Sequence, residues 1–276
     1  MKTFQWGLLA AVLGGIAACD DGDSTSPPPN VPLAAVRFIN AVPDTMGLDY
    51  RFVDVVTNAG MYLAPFRTLQ AHHQSLPAGE HTFRVFLNNG SGDPAILSTV
   101  VHEQTFTYAE DVSYTVVHSG FMRAGSTPAA TVTVQQDDPA VPAAGRVGLR
   151  VMHLGAGMGP VDVFVGTNST ADQTPAATPT WTSVAYGQTT AYVEMDTAAL
   201  RVAVTAPATT TPLLVSNTAA PAGSHASGTS SAITGVRIAG SVLTVVILPP
   251  SVAGSLAPAG FTTPAFAFLN DRRPIN

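Results

Sequence analysis

The side chains that invite a chemical reading are seven His, the paired acids Glu110-Asp111 and Asp137-Asp138, and two couples, Arg37 with Asp49 and Arg150 with Asp162. A zinc site needs three or four ligands converging at fixed spacings. His72 and His73 are adjacent, and on a strand they point to opposite faces, so they cannot both reach one ion. His81, His102, His118, His153 and His225 are scattered, and His102-Glu103 lacks the second His of a metalloprotease helix. A serine hydrolase carries its nucleophile in G-x-S-x-G between a strand and a helix. Gly223-Ser224-His225-Ala226-Ser227-Gly228 has a different spacing and sits in a low-complexity stretch. Gly155-Ala156-Gly157-Met158-Gly159 follows a strand pattern as a phosphate cradle does, but Pro160 and another strand pattern come next, where a nucleotide site needs a helix N-terminus. The paired acids lie outside any EF-hand-like loop and read as solvated loop charges. From these spacings we expect no catalytic residues, no metal and no cofactor.

The Arg/Asp couples are the more informative pattern. Arg37 falls on Arg150, and Asp49 on Asp162, each 113 residues on. Each couple flanks a turn at a spacing that could place it across a hairpin, or across a sandwich if the chain changes sheets. The expected role is a structural ion pair, or an Asp bonded to backbone that pins the turn, because buried charges persist when paired. A ligand-binding carboxylate is the alternative. Trp181, Tyr186 and Tyr192 would make a sugar platform if exposed, but aromatics at strand spacing are usually core.

The elements that position these residues read as strands. Alternating apolar residues recur at Val36–Ala41, Leu48–Val56, Met61–Leu63, His72–Leu76, His81–Leu87, Ala95–Val101, Gln104–Tyr108, Ser113–Ser119 and Thr131–Gln135. Turn residues separate them, most strongly Asn88-Asn89-Gly90-Ser91-Gly92-Asp93. After Asp137–Gly145, with its two Pro, the order recurs: Val147–Leu154, Val161–Gly166, Thr180–Tyr186, Thr190–Met195, Leu200–Thr205, Leu213–Ser216, Gly235–Ile238 and Ser241–Leu248. The last of these, SVLTVVIL, is too short to span a membrane and is expected to be a buried strand. Thr263–Leu269 echoes Thr127–Thr133, so both units are expected to finish on the same strand. Residues 218–231 lack periodicity and are expected to form a long mobile loop. The chain is therefore read as all-β: two tandem antiparallel β-sandwich (Ig-like) domains, 36–137 and 146–276, joined by a linker at 138–145.

Composition agrees with many short strands: 24 Gly and 22 Pro, and only 11% charged residues. The formal charge is −6, and the only Lys is Lys2, leaving eleven Arg against eighteen acids. Nucleic acid needs clustered positive charge, so no nucleic-acid partner is expected. Residues 1–18 carry Lys2, an apolar run from Leu8 to Leu13 and small residues up to Cys19, the pattern of a secretory signal. Residues 20–35, DDGDSTSPPPNVPLAA, have nothing to pack a core and read as a flexible tether of up to ~50 Å. Cys19 is the only Cys, which excludes an internal disulfide.

Ile16-Ala17-Ala18-Cys19 resembles the lipobox of bacterial lipoproteins. That resemblance implies cleavage between Ala18 and Cys19 and a lipid on the Cys19 sulfur, with two acyl chains sufficient for stable anchoring. Ordinary signal cleavage near Ala17 or Ala18 is the alternative, though Ile16 fits poorly at its minus-three position. The stretches VRFINAVPDTMGLDYRFVD from Val36 and LRVMHLGAGMGPVDVFVG from Leu149 both resemble the opening of an extracytoplasmic bacterial family known as domain of unknown function 4397. Leu76-Pro77-Ala78-Gly79 resembles its later turn, whereas the second stretch has Met195-Asp196-Thr197-Ala198-Ala199 there. The resemblance implies a β-sandwich on a secreted or lipid-anchored protein, and no reaction. The expected role is a non-catalytic, lipid-anchored module of the bacterial cell envelope. Its partners are the membrane, through Cys19, and a glycan, the cell wall or another protein. A structural spacer is the alternative, and an extracytoplasmic hydrolase a weaker one. Ligand contacts are expected in end loops: Pro43 and Asp44, Asn89 and Asp93, Gly157 and Met158, and residues 218–231.

Overall fold

In a computed structural model of the chain, which describes residues 31–167, 178–215 and 220–274, nearly every regular element is a strand. The expected signal segment, Ala18, Cys19, most of the tether, and residues 218 and 219 lie outside the described residues. No described helix is long and apolar enough to cross a membrane.

The first half contains β1 (Leu33–Ala41), β2 (Leu48–Phe52), β3 (Gly60–Ala64), β4 (Thr68–Leu69), β5 (Gln74–Pro77), β6 (Gly79–Leu87), α1 (Pro94–Leu97), β7 (Val100–Tyr108), β8 (Ser113–Ser119) and β9 (Thr131–Asp137). One sheet runs β4-β1-β8-β9, with β5 also on β1, and the other runs β3-β2-β6-β7. Alternation sends Val36 and Phe38 of β1, Leu48, Tyr50 and Phe52 of β2, and Phe83 and Val85 of β6 into one core between the sheets. The Phe38 and Phe83 rings stack there at 5.7 Å. Each such aromatic contributes roughly 1.5–3 kcal/mol by leaving water.

The second half contains β10 (Arg146–His153), β11 (Val161–Gly166), β12 (Trp181–Val184), β13 (Val193–Asp196), β14 (Arg201–Thr205), β15 (Pro212–Val215), β16 (Val242–Leu248) and β17 (Ala265–Arg272). Its sheets run β13-β10-β16-β17 and β12-β11-β14-β15, enclosing a second core that includes Leu149, Val151, Val163, Val204, Leu243 and Val245. The order matches the first half, except that β13 alone pairs with β10 where both β4 and β5 pair with β1.

Not every pair is antiparallel. β1 runs parallel to β8, and β10 parallel to β16. Parallel neighbours need a long crossover, and in each half the strands of the opposite sheet supply it. The expected strand at Ala95–Val101 begins instead as α1, because Asp93 caps the backbone N–H of Ala95 and Pro94 takes the first helical position. The expected strand at Gly235–Ile238 is a run of turns. In the 218–231 segment, Ala220 is buried in the second core, Ser227 bridges Ser230, and Ser224 bridges Ile233 just beyond.

The two sandwiches meet along the outer faces of β1 and β8 and of β10 and β16. Ile39, Ala41 and Val117 pack there on Met152, Leu154, Val246, Leu248 and Leu269 as a third apolar cluster. This explains why β16 is buried at every position and β1 at every position from Val36 onward, Arg37 and Asn40 included: both faces of these strands are covered, as in the middle layer of a stack. β9 ends at Asp137 and β10 begins at Arg146.

Candidate functional site

At one end of that seam the apolar cluster gives way to charge. Arg37 lies on β1 between Val36 and Phe38, so it points away from its own core and toward the other half. Arg150 does the same from β10, between Leu149 and Val151. Arg37 Nη2 meets Asp137 Oδ2 at 3.1 Å and Asp271 Oδ1 at 2.5 Å. Arg150 Nη2 meets Asp137 Oδ1 at 2.5 Å, and its Nε stands 3.7 Å from Asp271 Oδ2. Each carboxylate thus lies between two guanidinium groups, one from each half.

The hydroxyls repeat the arrangement. Arg37 Nε donates to Thr115 Oγ1 at 2.8 Å, and that hydroxyl donates to Asp137 Oδ2 at 2.5 Å. Arg150 Nε donates to Thr244 Oγ1 at 2.7 Å, which donates to Asp271 Oδ2 at 2.5 Å. His73 donates from Nε2 to Asp137 Oδ2 at 3.2 Å, and Tyr192 donates to Asp271 Oδ2 at 2.9 Å. The Arg150 guanidinium also lies over the Tyr192 ring, 4.6 Å from its centre. Burial alone would raise the Asp137 pKa. The His73 hydrogen bond, the Arg37 charge, the Thr115 hydroxyl and the Arg150 charge outweigh it and hold the carboxyl at about 2. For Tyr192, burial and the Asp271 charge push the phenol well above its ordinary value.

The expected couples do not form. Asp49 lies between Leu48 and Tyr50, which face the first core, so its side chain leaves the opposite side of the sandwich from Arg37, and two sheets separate the pair. Asp49 instead bonds Arg51, the Asn88 side-chain amide and the backbone N–H of Leu63, the last at 2.7 Å. Asp162 accepts the backbone N–H groups of Ser183 at 2.7 Å and Ala208 at 3.0 Å. Leu63 and Ser183 have φ of 45° and 48°, and each sits where the register to the neighbouring strand shifts. These Asp side chains therefore pin a bulged, left-handed residue against β2 and β11. Asp137 is buried within the network, not a solvated loop charge; Asp138 beside it is exposed.

Asn40 and His153, also at matching positions, fasten the following turns. Asn40 Oδ1 accepts the N–H of Val42 while its amide donates to Ala64. His153 Nδ1 accepts the N–H of Gly155, and its Nε2 donates to Gly159 at 2.8 Å. Burial lowers the His153 pKa, and the bond to Gly159 opposes that only in part. His118 is wholly enclosed in the first core, 3.3 Å from the Tyr50 hydroxyl, with no partner for Nε2 among the described residues. Burial, with His102 nearby, lowers its pKa to about 3.

Of the expected ligand loops, the turn after β1 is held by packing and hydrogen bonds, whereas Gly157, Gly159 and Pro160 of the turn after β10 stay exposed. Asp44 accepts the N–H groups of Met122 and Arg123 at 2.9 Å each, and Pro43 accepts that of Val252 from the other half. Gly157 approaches Phe121, and Met158 packs on the second core. Asn89 and Asp93 remain exposed, bonded to Ser91 and Ala95 of their own loop. The three aromatics do not form a platform. Trp181 packs on the second core, the Tyr186 hydroxyl lies 2.9 Å from that of Ser119, and Tyr192 serves the charge network.

Beside the network the surface opens into a cleft of about 220 Å³ lined by Ala71, His72, His73, Asn270, Asp271, Arg272 and Arg273. The wall comes from both halves. His72 and His73 lie on a bend before β5, not on a strand, so both line the same cleft. His72 and Arg273 are exposed, whereas the Nε of Arg272 is shut from solvent and bonded to no acceptor. Sequence reasoning set the His pair apart because it assumed a strand there. No cluster of three or more metal-ligating side chains occurs among the described residues.

Residues 34–164 match the family model described as Domain of unknown function (DUF4397). The match runs from β1 through β9 and on into β11. No curated protein matches the chain.

Proposed function

We propose that this chain is a non-catalytic, lipid-anchored protein of the bacterial cell envelope that binds a glycan, cell-wall or protein partner, and that its second half is a second copy of the same family domain. The copy is supported by matching strand orders and by the repeated Arg37/Arg150, Thr115/Thr244 and Asp137/Asp271 positions. Anchoring is supported by Ile16-Ala17-Ala18-Cys19 after an apolar run. The observation that carries the binding role is the seam cleft, which joins convergent polar groups from both halves beside a rigid buried network. The test is co-sedimentation of the mature chain, with Cys19→Ser for solubility, against cell-wall sacculi and insoluble polysaccharides. Saturable retention that survives moderate salt is expected; no retention by any matrix removes the glycan and cell-wall reading.

A structural spacer is the second reading. It is favoured by the turn at 42–47, which is mostly buried and bonded to other segments where a binding module would expose it to solvent. A spacer gives no saturable retention in the same assay.

A further inference from the structure

We infer that the seam cleft binds an oxyanion, a carboxylate or phosphate borne by an anionic glycan, with Arg272 and Arg273 supplying the charge and His72 and His73 the opposing wall. This rests on the reading of that cleft as the binding site and names its ligand chemistry. The charge balance points there. Arg37 and Arg150 are matched by Asp137 and Asp271 within the buried network, so neither carboxylate has charge left for the cleft. Arg272 and Arg273 stand next along the chain, and neither has an ion-pair partner among the described residues. In a chain with eighteen acids and eleven Arg, two adjacent unmatched Arg beside two His form a local reversal of sign.

Geometry agrees with the charge. Arginine presents a planar fork of donors that matches carboxylate and phosphate oxygens. Asp271 is locked between two guanidinium groups, and Thr244 and Tyr192 bond it too, so the chain leading into Arg272 has a fixed origin. His73 is fixed in the same way by its bond to Asp137. At about 220 Å³ the cleft falls below the roughly 300–1,000 Å³ of pockets for drug-sized ligands. It suits the charged group of a longer molecule whose remainder stays outside.

The test is calorimetric titration of the mature full chain, held in detergent, with inorganic phosphate and separately with sodium glucuronate at low ionic strength. Saturable binding of either probe is expected, weakened about tenfold or more in R272Q/R273Q, in keeping with loss of charge-assisted contacts. Preference for phosphate assigns a phosphorylated glycan, and preference for glucuronate a carboxylated one. R273Q alone changes an exposed side chain, so its thermal midpoint should equal the parent's while its binding weakens. Absence of saturable heat with both probes, or equal affinity in parent and both variants, overturns the inference. If R272Q/R273Q still co-sediments with sacculi as the parent does, the binding role stands and the oxyanion site falls. Anion binding without retention on any matrix gives the reverse.

Discussion

Asp137 and Asp271 stand between the same two guanidinium groups, those of Arg37 and Arg150, so each half of the molecule completes the charge balance of the other. The pairs are shut from water, and removal of one member of such a pair leaves a buried charge uncompensated, at a cost of about 3–5 kcal/mol. Arg37→Met is expected to lower stability by that amount in urea unfolding. Arg37→Met combined with Asp271→Leu should lose less than the sum of the two single changes, because the orphaned charge goes with its partner. Strict additivity would mean that the two side chains do not act on each other.

The Asp of each V-D-V or L-D-Y stretch has a different task, holding a left-handed residue on the neighbouring strand. Ser183 is exposed, so its substitution tests the backbone without disturbing packing. Ser183→Gly and Ser183→Val should differ in stability by about 1–2 kcal/mol in favour of Gly, since a side chain branched at Cβ resists positive φ. Equal midpoints for the two variants would show that this residue does not keep its left-handed conformation in solution.

His118 makes stability depend on pH. Its folded pKa of about 3 lies below the unfolded value, near 6.5, so the unfolded chain binds the proton first as pH falls. The stabilisation is complete above the unfolded pKa and declines from there down to the folded one. That amounts to about 3 kcal/mol lost between pH 7 and pH 4. His153, lowered in the same direction, adds to the loss. His118→Leu should flatten the dependence over that window, whatever it does to stability at pH 7. A slope identical to the parent's would mean that His118 is charged or exposed in the folded protein. Asp137 acts only at lower pH: its contribution is present above the ordinary carboxylate value and is lost toward about pH 2.

Much of the architecture was legible because strand alternation and turn residues are local. The separation of Arg37 from Asp49, which were expected to meet, follows from the same alternation. Val36 and Phe38 place Arg37 off the core face, Leu48 and Tyr50 do the same for Asp49, and the two off-core faces of one sandwich point opposite ways. What local pattern could not give is the seam. Asp137 lies in a polar run, Gln135-Gln136-Asp137-Asp138, and only the packing of one sandwich on the other buries it. Asp271 looks like a tail residue before Arg272 and Arg273 for the same reason. The cleft depended on His72 and His73 leaving strand geometry at a bend, and nothing in Ala71-His72-His73-Gln74 signals that bend.

The seam also decides how the protein unfolds. Ile39, Val117, Met152, Val246, Leu248 and Leu269 pack between the halves, and all are almost fully buried. Opening the seam would expose them together with four charges that balance one another only across it. Neither half can therefore unfold while leaving the other at full stability. Calorimetry of the mature chain is expected to give one transition, with a ratio of van 't Hoff to calorimetric enthalpy of about 1. Met152→Asp places a carboxylate within the apolar part of the seam and leaves both sandwich cores untouched. It should lower the midpoint and split the transition in two, as the cores begin to melt separately. Two transitions already present in the parent would show that the halves are neighbours without being coupled, and the mutual charge balance of Asp137 and Asp271 would then contribute little to stability.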